Sequence, residues 1–127
     1  KPVKLFKSHR EGFEDGGQLR DFVYVDDIVD IVDWLMDRPD ISGIYNAGSG
    51  QARSFADLAR ATFAAASKAE AIEYIDMPDS IRDRYQYFTE APIERLRAAG
   101  YEKPMTSLEE GVRRYVQDFL SQPDPYR

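Results

Sequence analysis

Apolar residues recur along this chain with two different periods, and the switches between them mark out its elements. Residues 3–6 form a short strand-like run, and 7–19 follow as a polar loop with Gly12, Gly16 and Gly17 as turn residues. Residues 21–25 alternate and are rich in Phe, Val and Tyr, which predicts a strand. The period then changes to that of a helix over residues 27–38. Ile28, Ile31, Val32 and Leu35 make its inner stripe, Asp30, Asp33 and Asp37 face out, Asp26 or Asp27 caps it, and Pro39 helps end it. Residues 43–47 read as a buried-type strand leading into the turn Gly48-Ser49-Gly50.

Ser54 caps a second helix with Phe55, Leu58, Ala59, Thr62, Phe63 and Ala66 on one face. Residues 71–77 predict another strand, and 78–86 an irregular charged loop. Thr89 or Glu90 begins a short helix with Pro92 in its first turn, closed by Gly100. Thr106 or Ser107 opens the last helix through a capping box with Glu109 or Glu110. Its apolar face is Leu108, Val112, Tyr115, Val116 and Phe119, and Pro123 and Pro125 mark a frayed end. Alternating strands and helices give an α/β or α+β class, within a single unit of residues 1–127. Three amphipathic helices beside so few short strands imply that part of the apolar surface packs against an N-terminal half outside this chain.

At 127 residues, 43% hydrophobic and 13% aromatic, the chain is expected to fold. The 23 acidic against 17 basic residues argue against a general nucleic-acid partner. No apolar run approaches the roughly 18 residues of a membrane span. The absence of cysteine excludes disulfides and thiolate metal sites and fits a reducing, cytoplasmic setting. A single histidine argues against a histidine-built metal cluster or a Ser-His-Asp triad.

Four places carry candidate chemistry. Arg20 sits at the foot of an apolar strand, where a guanidinium's planar paired donors suit a phosphate; the alternative is a surface arginine paired with Asp21 or another acid. Gly48-Ser49-Gly50 before a helix suggests an anion-binding turn, but the pattern is shorter than G-x-G-x-x-G and a plain turn is the preferred reading. The run Arg82-Asp83-Arg84-Tyr85-Gln86 gathers two arginines, a tyrosine and an amide in one loop. It is either a binding loop or a solvated charge cluster. His9, with Lys4, Lys7 and Arg10, makes the N-terminal segment locally basic. Tyr24 reads as a packing residue.

Read in series, these segments carry a resemblance. L-F at residues 5–6, R-D-F-V-Y-V-D-D at 20–27, G-I-Y-N-A-G-S-G at 43–50 and R-S-F at 53–55 come first. I-E-Y-I-D-M-P at 72–78, R-Y-Q-Y-F-T-E-A at 84–91, L-R-A-A-G-Y at 96–101 and T-S-L-E-E-G-V at 106–112 follow. Together they resemble the C-terminal, substrate-binding portion of the nucleotide-sugar epimerases, which are extended short-chain dehydrogenase/reductases with a Rossmann-type fold. R-Y-Q-x-F-T followed by L-R-A-A-G-Y is most similar to the ADP-heptose 6-epimerase branch.

The resemblance implies transient NADP-dependent oxidation of an ADP-heptose at C6 and return of the hydride to the opposite face, for the heptose of the lipopolysaccharide core. It also implies a homo-oligomer. The NADP-binding Rossmann domain and the catalytic residues would lie upstream, leaving no catalytic residue here and a fragment inactive alone. Arg20 and Tyr85 match substrate-binding positions that grip the ADP end, and Phe6, Lys7, Ser8 and His9 match a substrate loop. Pro92 stands where an aspartate is usual, and the 7–19 loop is longer than in some members. Two alternatives remain: a UDP- or dTDP-sugar epimerase or dehydratase of the same superfamily, and a non-catalytic interaction module.

Overall fold

In the computed structural model, which describes residues 1–124, two small sheets and a set of helices make an α/β arrangement. Strand β1 (Val3–Phe6) lies parallel to β4 (Ile72–Ile75), with Val3 opposite Ile72 and Phe6 opposite Ile75. Strand β2 (Leu19–Arg20) lies antiparallel to β3 (Arg53–Ser54), with Arg20 opposite Arg53. Leu19 also donates its amide to the Tyr87 carbonyl at 2.8 Å and accepts from the Thr89 amide at 3.2 Å. This second edge threads β2 between β3 and the 87–89 segment, so Arg20 comes out beside the loop that precedes Tyr87.

Helix α1 (Val25–Met36) begins two residues earlier than its apolar period suggests, and Tyr24, its N-cap, supplies no side-chain cap. Asp26 and Asp27 occupy the first turn, where carboxylates favour the helix dipole. They are not caps, because Asp27 is committed elsewhere. It is 5% exposed and accepts the backbone amide and hydroxyl of Thr106, each at 2.7 Å. That pair ties the start of α1 to the chain just ahead of residue 107.

The residues expected as a strand at 21–25 therefore run extended and then turn helical. Among the described residues no second strand pairs with them, and Asp21 takes up neighbouring amides through its side chain. The strand expected at 43–47 is also absent from the described residues, and Ile44 is 85% exposed. An alternating or apolar run needs a hydrogen-bonding neighbour to become a strand, and these two segments have none.

Helix α2 (Phe55–Ala65) follows the sequence closely. The Ser54 hydroxyl accepts the Asp57 amide at 3.0 Å while the Asp57 carboxylate accepts the Ser54 amide at 3.3 Å, a complete capping box. Residues 79–82, expected to be irregular, form one helical turn, α3 (Asp79–Arg82). Its amides at Ile81 and Arg82 return to the Pro78 carbonyl. Helix α4 (Glu94–Ala98) starts later than expected and leaves Pro92 ahead of it. Glu90 does not start that helix, because its carboxylate accepts the Ala52 amide at 2.7 Å. Gly100, at φ +104°, closes α4 as expected.

Helix α5 (Leu108–Arg114) is capped by the Ser107 hydroxyl on the Glu110 amide at 3.2 Å. The reciprocal half of the expected capping box is missing. The Glu110 carboxylate instead meets Arg113 and Arg114, and their hydrogen bonds hold its pKa down at about 2. Beyond Arg114 the helix widens into a π-helical turn, Tyr115–Leu120, which rotates Tyr115 and Phe119 into solvent and keeps only Val116 inside. Of the two expected terminal prolines, Pro123 follows this turn in a bend and Pro125 lies outside the described residues.

The core gathers on Ile31, Leu96 and Tyr101, with Ile28, Trp34, Leu35, Tyr45 and Met105 packed around them. Trp34, not Val32, completes the inner face of α1, meeting Tyr101 edge-on at 5.5 Å. Val25, Val29, Val32 and Met36 fall on one exposed stripe of the same helix. Helix α2 packs on α5, and Ala56 and Ala59 of α2 and Val116 of the π-helical turn are buried.

Candidate functional site

Arg20 ends β2 with its guanidinium pinned on three sides. Nη1 donates to the Leu19 carbonyl at 2.7 Å, and Nη2 donates to the Gln86 carbonyl. The cation lies over the ring of Tyr85 at 5.4 Å and that of Phe55 at 5.8 Å. A guanidinium carries five N–H donors, and only two of Arg20's are used by these carbonyls. Among the described residues Arg20 has no carboxylate partner, so the alternative of a paired surface arginine does not describe it. Its neighbour Asp21 points the other way.

Tyr85 is the second fixed wall. Its ring meets Phe6 edge-on at 5.9 Å and Tyr87 at 5.8 Å, which continues the aromatic row to Phe13. Tyr85 thus divides two hollows. One, of about 400 Å³, is lined by Arg20, Ser80, Ile81, Arg84, Tyr85 and Gln86. The other, of about 150 Å³, is bounded by Lys4, Leu5, Phe6, Gln18, Phe55 and Tyr85. Among the described residues no acidic side chain lines either hollow. The larger one collects donors (Arg20, Arg84, the Ser80 and Tyr85 hydroxyls and the Gln86 amide), which suits an anion.

The loop bearing this wall is anchored by Arg82, the other arginine of the run. Its Nη1 meets Asp79 at 2.9 Å and Nη2 donates to the Met77 carbonyl at 2.8 Å. The run therefore splits its roles: Arg82 holds α3 to the body of the protein, while Arg84 and Tyr85 face the cleft.

Of the sequence candidates, Arg20, Tyr85 and Phe6 are brought together, and Lys7, Ser8 and His9 stand apart from the cleft. Lys7 pairs with Asp76 at 3.1 Å. The Ser8 hydroxyl donates to the Arg10 carbonyl at 2.9 Å, and its amide donates to Asp15 at 2.8 Å. His9 donates its amide to the Tyr87 hydroxyl at 2.9 Å and accepts the Met77 amide on Nε2 at 3.4 Å. These contacts set the course of the loop behind the aromatic row. Ser80 and Ile81 were missed in the sequence because only the one-turn helix α3 turns them toward Arg20.

The Gly48-Ser49-Gly50 turn is no anion cradle. Asp21 accepts the Ser49 amide at 2.7 Å, the Ser49 hydroxyl at 2.5 Å, the Gly50 amide at 3.0 Å and the Ala91 amide at 2.9 Å. Burial pushes the Asp21 carboxyl up, but the Ser49 hydroxyl and the amides of Ala91, Ser49 and Gly50 outweigh it and leave its pKa below the ordinary value. A carboxylate already fills the place a phosphate would take. The described residues accordingly do not fit the pyrophosphate of a dinucleotide cofactor at this turn, and no chemical step can be derived through one here. Nor do they include a cluster of His, Asp and Glu arranged to hold a metal ion, or a helix long and apolar enough to cross a membrane.

Residues 2–48 match the NAD dependent epimerase/dehydratase family. The ADP-L-glycero-D-manno-heptose-6-epimerase of Fusobacterium nucleatum is 56% identical, over 98% of this chain and 39% of the relative. Among solved structures, the ADP-L-glycero-D-manno-heptose-6-epimerase of Helicobacter pylori superposes with a TM-score of 0.73 at 29% identity, covering 95% of this chain and 34% of that one. The UDP-glucose 4-epimerase of Thermus thermophilus, in complex with NAD, gives a TM-score of 0.68 at 28% identity, with coverage of 88% and 33%. The chain thus spans well under half the length of the relatives it matches.

Proposed function

We propose that this chain holds the substrate of an ADP-L-glycero-D-manno-heptose 6-epimerase, with the ADP diphosphate seated in the cleft of Arg20 and Tyr85. The observation that carries the reading is Arg20 itself. It is a guanidinium fixed by two carbonyls and two rings, with donors to spare, facing a hollow without a carboxylate. Such a group binds a phosphate without first breaking an ion pair or ordering a long side chain. The 56% identity to the Fusobacterium enzyme supports the ADP-heptose assignment.

In this reading Phe6 packs edge-on against Tyr85, while Lys7, Ser8 and His9, held behind the aromatic row, take no part in gripping the diphosphate and would reach only the sugar end of the substrate. The reacting carbon is C6 of the heptose, whose configuration inverts with no net redox change. NADP supplies the hydride chemistry when bound, held by residues outside these 127, as are the catalytic groups. The complete enzyme is a cytoplasmic homo-oligomer.

The test is interconversion of ADP-D-glycero- and ADP-L-glycero-D-manno-heptose by the natural full-length protein, followed by NMR of the heptose H6. Turnover is expected, and its absence in properly folded protein would reject the assignment. The likeness to UDP-glucose 4-epimerase favours a second reading, with a UDP-sugar in the same cleft. Competition separates the two: ADP should displace the bound nucleotide sugar more strongly than UDP, and the reverse order would favour the second reading.

A further inference from the structure

The larger hollow contains a second cation, Arg84, to which the family resemblance gives no role of its own. Arginines elsewhere in the structure are occupied. Arg53 meets Asp57 and Glu109, Arg60 meets Asp57 and Glu70, Arg82 meets Asp79, and Arg113 and Arg114 share Glu110. Arg10, Arg38, Arg95 and Arg97 lie over aromatic rings. Among the described arginines, Arg84 alone has a side chain with no ion pair, hydrogen bond or ring contact. It is exposed, yet it lines the same cleft as Arg20. A free arginine keeps its rotamer entropy until a ligand orders it, whereas Arg20 is ordered in advance.

We propose that Arg84 is the second half of a diphosphate clamp: Arg20 takes one phosphate and Arg84 closes on the other. This rests on the nucleotide-sugar reading of the cleft and extends it to the number of phosphates the site counts. Two cations facing one acid-free hollow match two adjacent phosphates better than one. Their different states divide the work. Arg20, stacked on Tyr85 and Phe55, fixes where the nucleotide sits. Arg84 sits one residue before Tyr85, on the loop that Arg82 anchors. Its backbone is therefore placed while its side chain swings, and Arg84 sets the preference for a diphosphate over a monophosphate.

The experiment measures ADP and AMP binding to the natural full-length protein by calorimetry, as wild type and as Arg84→Gln, Arg84→Lys and Arg20→Ala. The wild type is expected to prefer ADP. Arg84→Gln should weaken ADP by about tenfold or more, the size of one charge-assisted contact, and leave AMP unchanged. Arg84→Lys, which keeps the charge, should recover part of that loss, and Arg20→Ala should weaken both ligands. If Arg20→Ala weakens both ligands but Arg84→Gln keeps the full ADP preference, this inference fails and the reading of the cleft stands. If the wild type binds neither nucleotide, both fail. Because the Arg84 side chain makes no hydrogen bond, ion pair or ring contact with the described residues, loss of ADP binding in an Arg84→Gln protein with an unchanged thermal midpoint cannot be charged to misfolding.

Discussion

Asp21 accepts both the backbone amide and the hydroxyl of Ser49, at 2.7 and 2.5 Å, across 28 residues of sequence. The same carboxylate takes the amides of Gly50 and Ala91, so one side chain joins the end of β2, the Gly48–Gly50 turn and the segment leading to α4. Arg20 precedes it directly. The arrangement that binds no phosphate at the glycine turn therefore also fixes the backbone from which Arg20 reaches its cleft.

Replacing Asp21 with Asn keeps the size but turns one acceptor into a donor facing backbone amides. The loss should be about 1–3 kcal/mol of stability, given the partial exposure of the group. Ser49→Ala, which leaves the amide contacts, should cost about 1 kcal/mol. Urea unfolding of the full-length proteins orders the two, and equal midpoints for Asp21→Asn and wild type would show that the hub is not structural.

The pH dependence follows from the same carboxylate. Its folded pKa lies below the ordinary aspartate value of about 4, so the folded state favours the ionised form. The stability this contributes is fully present above the ordinary value and is lost as pH falls through the lowered one. Thermal midpoints of wild type and Asp21→Asn should therefore converge on acidification below about pH 4. A gap that stays constant to the acid limit would point to a contribution from Asp21 other than its charge.

Gly16 marks a position where backbone and space both demand glycine. Its φ is +69°, and a Cβ there would come 2.8 Å from the Tyr74 ring and 3.1 Å from Leu5. Gly16→Ala should cost about 1–3 kcal/mol by left-handed strain and displacement of the β1–β4 pair, with a lowered thermal midpoint as the readout. An unchanged midpoint would mean that the 7–19 loop moves freely against the sheet.

Tyr85 separates two contributions to the site. Tyr85→Phe keeps the ring under Arg20 and should retain most ADP affinity, whereas Tyr85→Ala removes the stacking surface and should weaken ADP by about 0.5–2 kcal/mol. If the Phe variant loses as much as the Ala variant, the hydroxyl and not the ring carries the interaction.

Helix α2 could be read directly because its signals are local: Ser54 and Asp57 cap each other three residues apart, and the apolar period lies within one element. Strands β1 and β4 were legible as runs, although their mutual pairing across some 70 residues was not. The segments at 21–25 and 43–47 misled for one reason. Composition shows that a stretch is willing to be a strand, but only a partner strand makes it one. Asp26 and Asp27 read as caps because the Thr106 that claims Asp27 lies 79 residues away. In the cleft, Arg20 and Tyr85 were accessible through their motifs. Ser80 and Ile81 depended on a helical turn that no periodicity announced, and the role of Asp21 on contacts 28 to 70 residues distant.

The most direct test of the clamp is the ADP affinity of the natural full-length protein against its Arg20→Ala variant, measured by calorimetry at fixed ionic strength. The account expects a loss of about 1–3 kcal/mol, roughly five- to 150-fold in Kd, with the fold intact by circular dichroism. An Arg20→Ala protein that is folded and binds ADP as tightly as wild type would contradict it.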